Sequence, residues 1–84
     1  MKLFWTDFAW QDYLYWEKYD KKILGRINNL VKDIQAHPFS GIGKPEPLRF
    51  ELQGKWSRRI NQMHRLVYGV RNARIIIYAC RYHY

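Results

Sequence analysis

A length of 84 residues predicts one domain with a single core, residues 1–84, and leaves no room for a second. Hydrophobic residues make up 48% of the chain and aromatics 18%, with four Trp and seven Tyr, which excludes the composition of a disordered segment. The +8 charge is one-sided: residues 1–43 carry six Lys and Arg against five Asp and Glu, whereas residues 44–84 carry nine against two, so the second half is expected to face a polyanion.

In chain order, Lys2–Thr6 reads as a short strand, and Thr6 or Asp7 can cap a following helix by accepting its orphan N–H groups. Ala9, Trp10, Tyr13, Leu14 and Trp16 supply an apolar stripe, with Gln11, Asp12, Glu17 and Lys18 away from it. Asp20 is then expected to cap a second helix with the stripe Ile23, Ile27, Leu30, Val31 and Ile34, ending near Ala36-His37 because Pro38 disfavours helix before it. Phe39–Pro47, with Gly41, Gly43, Pro45 and Pro47, reads as a loop. Beyond it the period becomes two, predicting strands over Leu48–Leu52, Trp56–Gln62, Arg65–Val70 and Arg74–His83, with a hairpin turn at Arg71-Asn72-Ala73. The predicted class is α+β, in the order β-α-α-β-β-β-β, with both helices on one face of a mainly antiparallel sheet and the other face open.

Several function classes drop out. The apolar run Ile75–Cys80 is too short to cross a bilayer, and Met1–Asp7 meets an acid and aromatics where a signal peptide needs a long aliphatic stretch, so a cytoplasmic location is expected. A single Cys80 allows no internal disulfide and reads as a buried thiol. Three scattered histidines and one cysteine lack zinc-ligand spacing, and Gly41 and Gly43 lack the helix and Lys-Ser/Thr pair of a phosphate loop, so neither metal nor cofactor is expected. His37 and His64 are assigned to structure, and Trp5, Trp10 and Trp16 to the core or to a partner.

The basic half carries chemistry of its own. Seven of its nine cations are Arg, interleaved with Phe50, Trp56, Tyr68, Tyr78, Tyr82 and Tyr84, a mixture suited to neutralising phosphates and stacking on splayed bases, though also compatible with an acidic protein partner. Glu46 lies between Pro45 and Pro47, which favour an extended backbone and preset its direction, and Lys44 and Arg49 flank it with charges that suit a carboxylate acting as a base. Taken alone, Glu46 is better read as a rim carboxylate in a surface ion pair. Arg58, Arg59 and Arg65 fall on adjacent strands, where two guanidinium groups can converge on one phosphate. The segment Arg81-Tyr82-His83-Tyr84 delivers a cation, a proton donor active near neutral pH and two tyrosines, or else an aromatic clamp closing the strand. A base, an acid and phosphate-binding cations are what cleavage of RNA by its own 2′-hydroxyl requires.

The segments Asp12–Trp16, Gly43–Leu48, Trp56–Ile60, His64–Tyr68 and Ala79–Tyr84 together resemble the YoeB toxins of bacterial toxin–antitoxin systems, within the RelE-like superfamily. The resemblance covers essentially the whole chain. It implies a small microbial-ribonuclease-like fold and a metal-independent endoribonuclease that cuts mRNA in the A site of the 30S subunit and so stops translation. It implies Glu46 as general base, His83 as general acid, Arg65 as transition-state stabiliser with Arg59 assisting, and Tyr84 as a substrate-holding residue. Lys44, Arg49, Arg58 and Arg81 complete the expected phosphate-binding set; Arg49 stands where relatives carry lysine, which alters donor geometry. Implied partners are the ribosome and mRNA, a YefM-like antitoxin with an acidic segment, a second toxin copy, and operator DNA through the antitoxin complex alone. The competing reading is a RelE-fold module that binds nucleic acid or gyrase without cutting.

Overall fold

The computed structural model describes residues 1–82, and its elements follow the expected order. They are β1 (Lys2–Trp5), α1 (Asp7–Tyr19), α2 (Lys21–Ala36), β2 (Glu46–Pro47), β3 (Lys55–Arg59), β4 (Arg65–Arg71) and β5 (Arg74–Ala79). Each helix start has a local cause. Thr6 Oγ1 accepts from Ala9 N at 3.1 Å, and Asp20 Oδ1 accepts from Lys22 N and Ile23 N, both at 3.1 Å. Asp20 N also donates to Trp16 O at 2.9 Å, so this one residue closes α1 and opens α2. His37 ends α2, its N–H donating to Asp33 O at 2.7 Å, with Pro38 following.

The sheet runs β1-β5-β4-β3-β2, with β1 parallel to β5 and the other pairs antiparallel. The two helices carry the chain from one edge to the other, and the meander returns until β5 meets β1. Ile27, Leu30, Val31 and Ile34 of α2 and Ala9 and Trp16 of α1 bury against Leu66, Tyr68, Ile75 and Ile77. Burying a side chain of this kind contributes about 1.5–3 kcal/mol, which makes this layer the main source of stability. Asn72 and Ala73 both adopt positive φ, 52° and 58°, the backbone a two-residue hairpin needs. Among the described residues no helix is long and apolar enough to cross a membrane.

Three expectations need correction. Leu48–Leu52 is not a strand: β2 is only Glu46–Pro47, and Phe50–Leu52 is a 3₁₀ turn. Phe50 has φ 58° and its ring is 84% exposed, so the alternating apolar pattern does not mark a buried face. Of the following strands β3 and β5 end earlier than expected, at Arg59 and Ala79, whereas β4 runs one residue past Val70 to Arg71. Ile60 N and Asn61 N both turn to His64 O, ending β3 at Arg59, and Asn61 Oδ1 accepts from Met63 N and His64 N to shape the turn. The third concerns the stripe of α1. Trp10 and Leu14 are exposed and Asp12 is buried, because Asp12 Oδ2 accepts from Cys80 N at 3.0 Å. Trp10 instead stacks on Tyr13, with ring centroids 5.1 Å apart, and Trp5 meets both edge-on.

Candidate active site

Strand alternation decides which basic side chains reach the uncovered face. In β3, Trp56 and Arg58 point toward the helices, so Lys55, Ser57 and Arg59 point to the other side. Cross-strand partners share a face, and the register Glu46↔Ser57↔Val67↔Ala79 therefore sets one row across four strands of the open side. Arg59 pairs directly with Arg65 two residues along. From sheet spacings alone, the Cα atoms of Glu46 and Arg65 lie about 12 Å apart, a gap their side chains can close around a phosphodiester. Two cations held opposite each other repel, costing about 0.2–1 kcal/mol, a strain that an anion between them relieves.

Each member of this group is positioned locally. Arg59 N donates to Gly43 O at 2.7 Å, which fastens the loop carrying Glu46 to β3. Only glycine fits there: φ is 78°, and a Cβ would lie 2.8 Å from Leu30 Cδ2 and 3.2 Å from Arg59 O. Arg65 Nη1 donates to the carbonyls of Asn61 at 2.7 Å and His64 at 3.1 Å, so one edge of its guanidinium is anchored to the β3–β4 turn. Glu46, Lys44 and Arg49 are exposed around a surface depression that Glu46 and Arg49 line with Pro47 and Leu48.

Arg58 must leave the phosphate-binding set. Its side chain is fully buried and is spent on the core: Nη1 pairs with Asp33 and Ile42 O, Nη2 donates to His37 O and Ser40 O, and Nε donates to the Tyr68 hydroxyl. The guanidinium beside Asp33 holds that carboxyl below the usual carboxylate range. Tyr68 is likewise buried and Trp56 packs on Phe39, so of the expected stacking aromatics among the described residues, Phe50, Tyr78 and Tyr82 remain accessible.

Beside the row lies an open cleft of about 260 Å³ that shares Val67 and Ala79 with it and is walled by Tyr78, Tyr82, Lys55 and Arg81. Tyr78, left unpaired where the β4–β5 register shifts, lies over Gly69, whose missing Cβ makes room for the ring, and Lys55 Nζ sits 4.3 Å from the ring centroid. Arg81 is held between Tyr15 and Tyr82, at 3.5 and 4.5 Å from their centroids. Of the cleft residues, Tyr78 was expected as a stacking aromatic, whereas Lys55 was missed; β-alternation opposite Gly69 was the signal that could have found it.

His83 and Tyr84 lie outside the described residues. The backbone leading to them is held by buried side chains. Trp16 Nε1 donates to Cys80 O at 2.8 Å, and His64 Nδ1 accepts from Tyr82 N at 2.7 Å. Burial, with Arg81 nearby, lowers the His64 pKa, and burial raises those of Asp12 and the Cys80 thiol. The structural assignment of His64 and the buried state of Cys80 agree with expectation.

Comparison with known proteins adds an independent line. Residues 5–84 match the model of the YoeB-like toxins of bacterial type II toxin–antitoxin systems. The chain is 56% identical over 84 residues to the toxin YoeB of Escherichia coli strain K12, covering all of both chains. The solved YoeB/ParE toxin from Agrobacterium tumefaciens superposes with a TM-score of 0.98 at 44% identity, again over all of both chains. The YoeB–YefM complex and the YoeB dimer from Staphylococcus aureus match with TM-scores of 0.91 and 0.92 at 44% and 45% identity, over 100% of this chain and 98% of theirs.

Proposed function

The chain belongs to the YoeB-like toxins of bacterial type II toxin–antitoxin systems, and from that premise we propose that it is a ribosome-dependent endoribonuclease that cuts mRNA in the A site. The observation that carries this reading is the placing of Glu46 and the Arg59–Arg65 pair on one uncovered face of the sheet. In the reaction, Glu46 takes the proton of the 2′-hydroxyl, the 2′-oxygen bonds to phosphorus, and the bond to the 5′-oxygen breaks. His83 protonates that leaving oxygen, giving a 2′,3′-cyclic phosphate and a 5′-hydroxyl. Arg65, assisted by Arg59, neutralises the charge gathering on the non-bridging oxygens. None of these steps needs a metal.

Lys44, Arg49 and Arg81 supply further phosphate contacts, Tyr84 holds the substrate, and the Tyr78–Tyr82 cleft suits a stacked base beneath Lys55. The same basic face is complementary to an acidic segment of a YefM-like antitoxin, and the S. aureus complex and dimer support an antitoxin partner and a homodimer here. Contact with operator DNA would come through that complex, and the work of the toxin is cytoplasmic. The deciding experiment supplies translating ribosomes with a defined mRNA and maps new 5′ ends. Cuts within the A-site codon are expected; arrest of translation without cuts would leave the non-catalytic binding module as the answer.

The charge pair also predicts a trade. Arg59→Thr removes the Arg59–Arg65 repulsion and adds a strand-favouring residue, so the free protein should gain about 0.2–1 kcal/mol in urea unfolding. Cleavage by the same variant should fall, because one phosphate-facing cation is lost. A variant both less stable and fully active would contradict the assignment of Arg59.

A further inference from the structure

Beyond β5 the chain is held by three side-chain hydrogen bonds to its backbone and one backbone bond to β4. Asp12 and Trp16, one turn apart on α1, take Cys80 N and Cys80 O at 3.0 and 2.8 Å. On the sheet side, Arg65 N donates to Tyr82 O at 3.0 Å and His64 Nδ1 accepts from Tyr82 N at 2.7 Å. Tyr82 has φ 65°, a conformation that a tyrosine keeps when its surroundings hold it. The ring of His64 is buried and sits edge-on to Trp16, with centroids 4.7 Å apart. His64 therefore spends a buried, neutral ring nitrogen on one backbone N–H, immediately before the residue assigned as general acid.

We propose that His64 is a positioning residue: its Nδ1 clamps Tyr82 and so aims the backbone that delivers His83, and acid releases the clamp by converting the acceptor nitrogen into a donor. The catalytic half of this inference rests on the endoribonuclease reading above; the clamp itself does not. An imidazole that accepts at Nδ1 carries its proton on Nε2, and a second proton removes the only lone pair facing Tyr82 N. Among the described residues the charged groups around the ring are Asp12 from α1 and Arg81 from the segment after β5; Trp16 and Tyr82 contribute uncharged rings. Burial first and Arg81 second lower the His64 pKa, while Asp12 raises it in part. A native value below the ordinary 6.5 means that the clamp is complete above about pH 6.5 and is lost as pH falls through the lowered native value. Asp12, raised from 3.8 by burial, acts in the opposite sense, its contribution being present below 3.8 and lost as pH rises through the raised value.

Two substitutions separate clamping from packing. His64→Asn keeps an acceptor oxygen at the δ1 position but does not titrate, whereas His64→Leu fills space without an acceptor. The first readout is amide hydrogen exchange at Tyr82 in the free full-length chain. Protection at neutral pH should be kept in wild type and H64N and fall about tenfold in H64L, as expected for loss of one hydrogen bond. On acidification wild type should lose that protection and H64N should not, a comparison in which the Asp12 contribution cancels. The second readout is single-turnover cleavage on programmed ribosomes. H64L should cut about tenfold to a hundredfold more slowly than wild type, the scale of a small misplacement of a reacting group, while H64N stays close to wild type. Equal exchange at Tyr82 in H64N and H64L, or equal losses of cleavage in both, would overturn the proposal. If wild type itself does not cut, the endoribonuclease reading fails, and the exchange experiment still decides the clamp.

Discussion

Arg58→Ala should remove a large share of this protein's stability. The side chain is fully buried and satisfies Asp33 together with the carbonyls of His37, Ser40 and Ile42, so truncation leaves a carboxylate and three backbone acceptors without their donor. Breaking a hydrogen-bond network built around a fully buried arginine is among the changes that exceed the usual loss of about 0.5–3 kcal/mol, against a total of about 5–15 kcal/mol for a small domain. Urea unfolding should show this loss as a lower midpoint, the shift multiplied by the slope giving the free energy, with little change in the slope itself. The partner variants sharpen the test. Removing the charge from both sides with R58M/D33L should not restore stability, because the three carbonyls still lack donors and Ile42 N loses the Asp33 oxygen it binds at 3.0 Å. A shift below about 1 kcal/mol for Arg58→Ala would show that the loop of residues 37–43 does not depend on this side chain.

Glu46→Gln should act in the reverse way, on activity and not on folding. Glu46 is exposed on a two-residue edge strand, and the substitution leaves its backbone pairing with Ser57 intact. Its urea midpoint should match wild type. On programmed ribosomes the cleavage rate should fall by about 10²–10⁴, the usual cost of removing a general base. Cleavage within tenfold of wild type would remove Glu46 from the chemistry and leave it as a rim carboxylate. The contrast with Arg58 separates residues of one short basic region into those that build the protein and those offered to its substrate.

Much of the fold was legible because its signals are local. Asp20 as a shared cap, the five-residue stripe of α2 and the stop at Pro38 each depend on atoms within a turn or two, and each stands where expected. The order of elements and the open sheet face followed from the change of period after Pro47. Failures came where a local pattern had a remote competitor. Leu48, Phe50 and Leu52 alternate as a strand would, yet strand pairing ends at Pro47 and Phe50 adopts positive φ to begin a 3₁₀ turn. Asp12 reads as a solvated residue of α1 until Cys80, 68 residues away, presents an N–H that it alone accepts.

The sequence by itself determined the class of the protein, its basic second half and a short set of candidate residues, because composition and near-neighbour spacing are properties of the chain. Tertiary structure alone decided which of two adjacent arginines serves the core. Arg58 and Arg59 are chemically identical, but strand alternation turns one toward Asp33 and the other toward Arg65, and only pairing across the sheet makes those neighbours available. Hydrogen-bond partners brought together from 18 to 68 residues apart likewise created the grip on Cys80 and Tyr82. Such contacts exist once the chain has closed the loops between them, and no pattern within a window of the sequence encodes them.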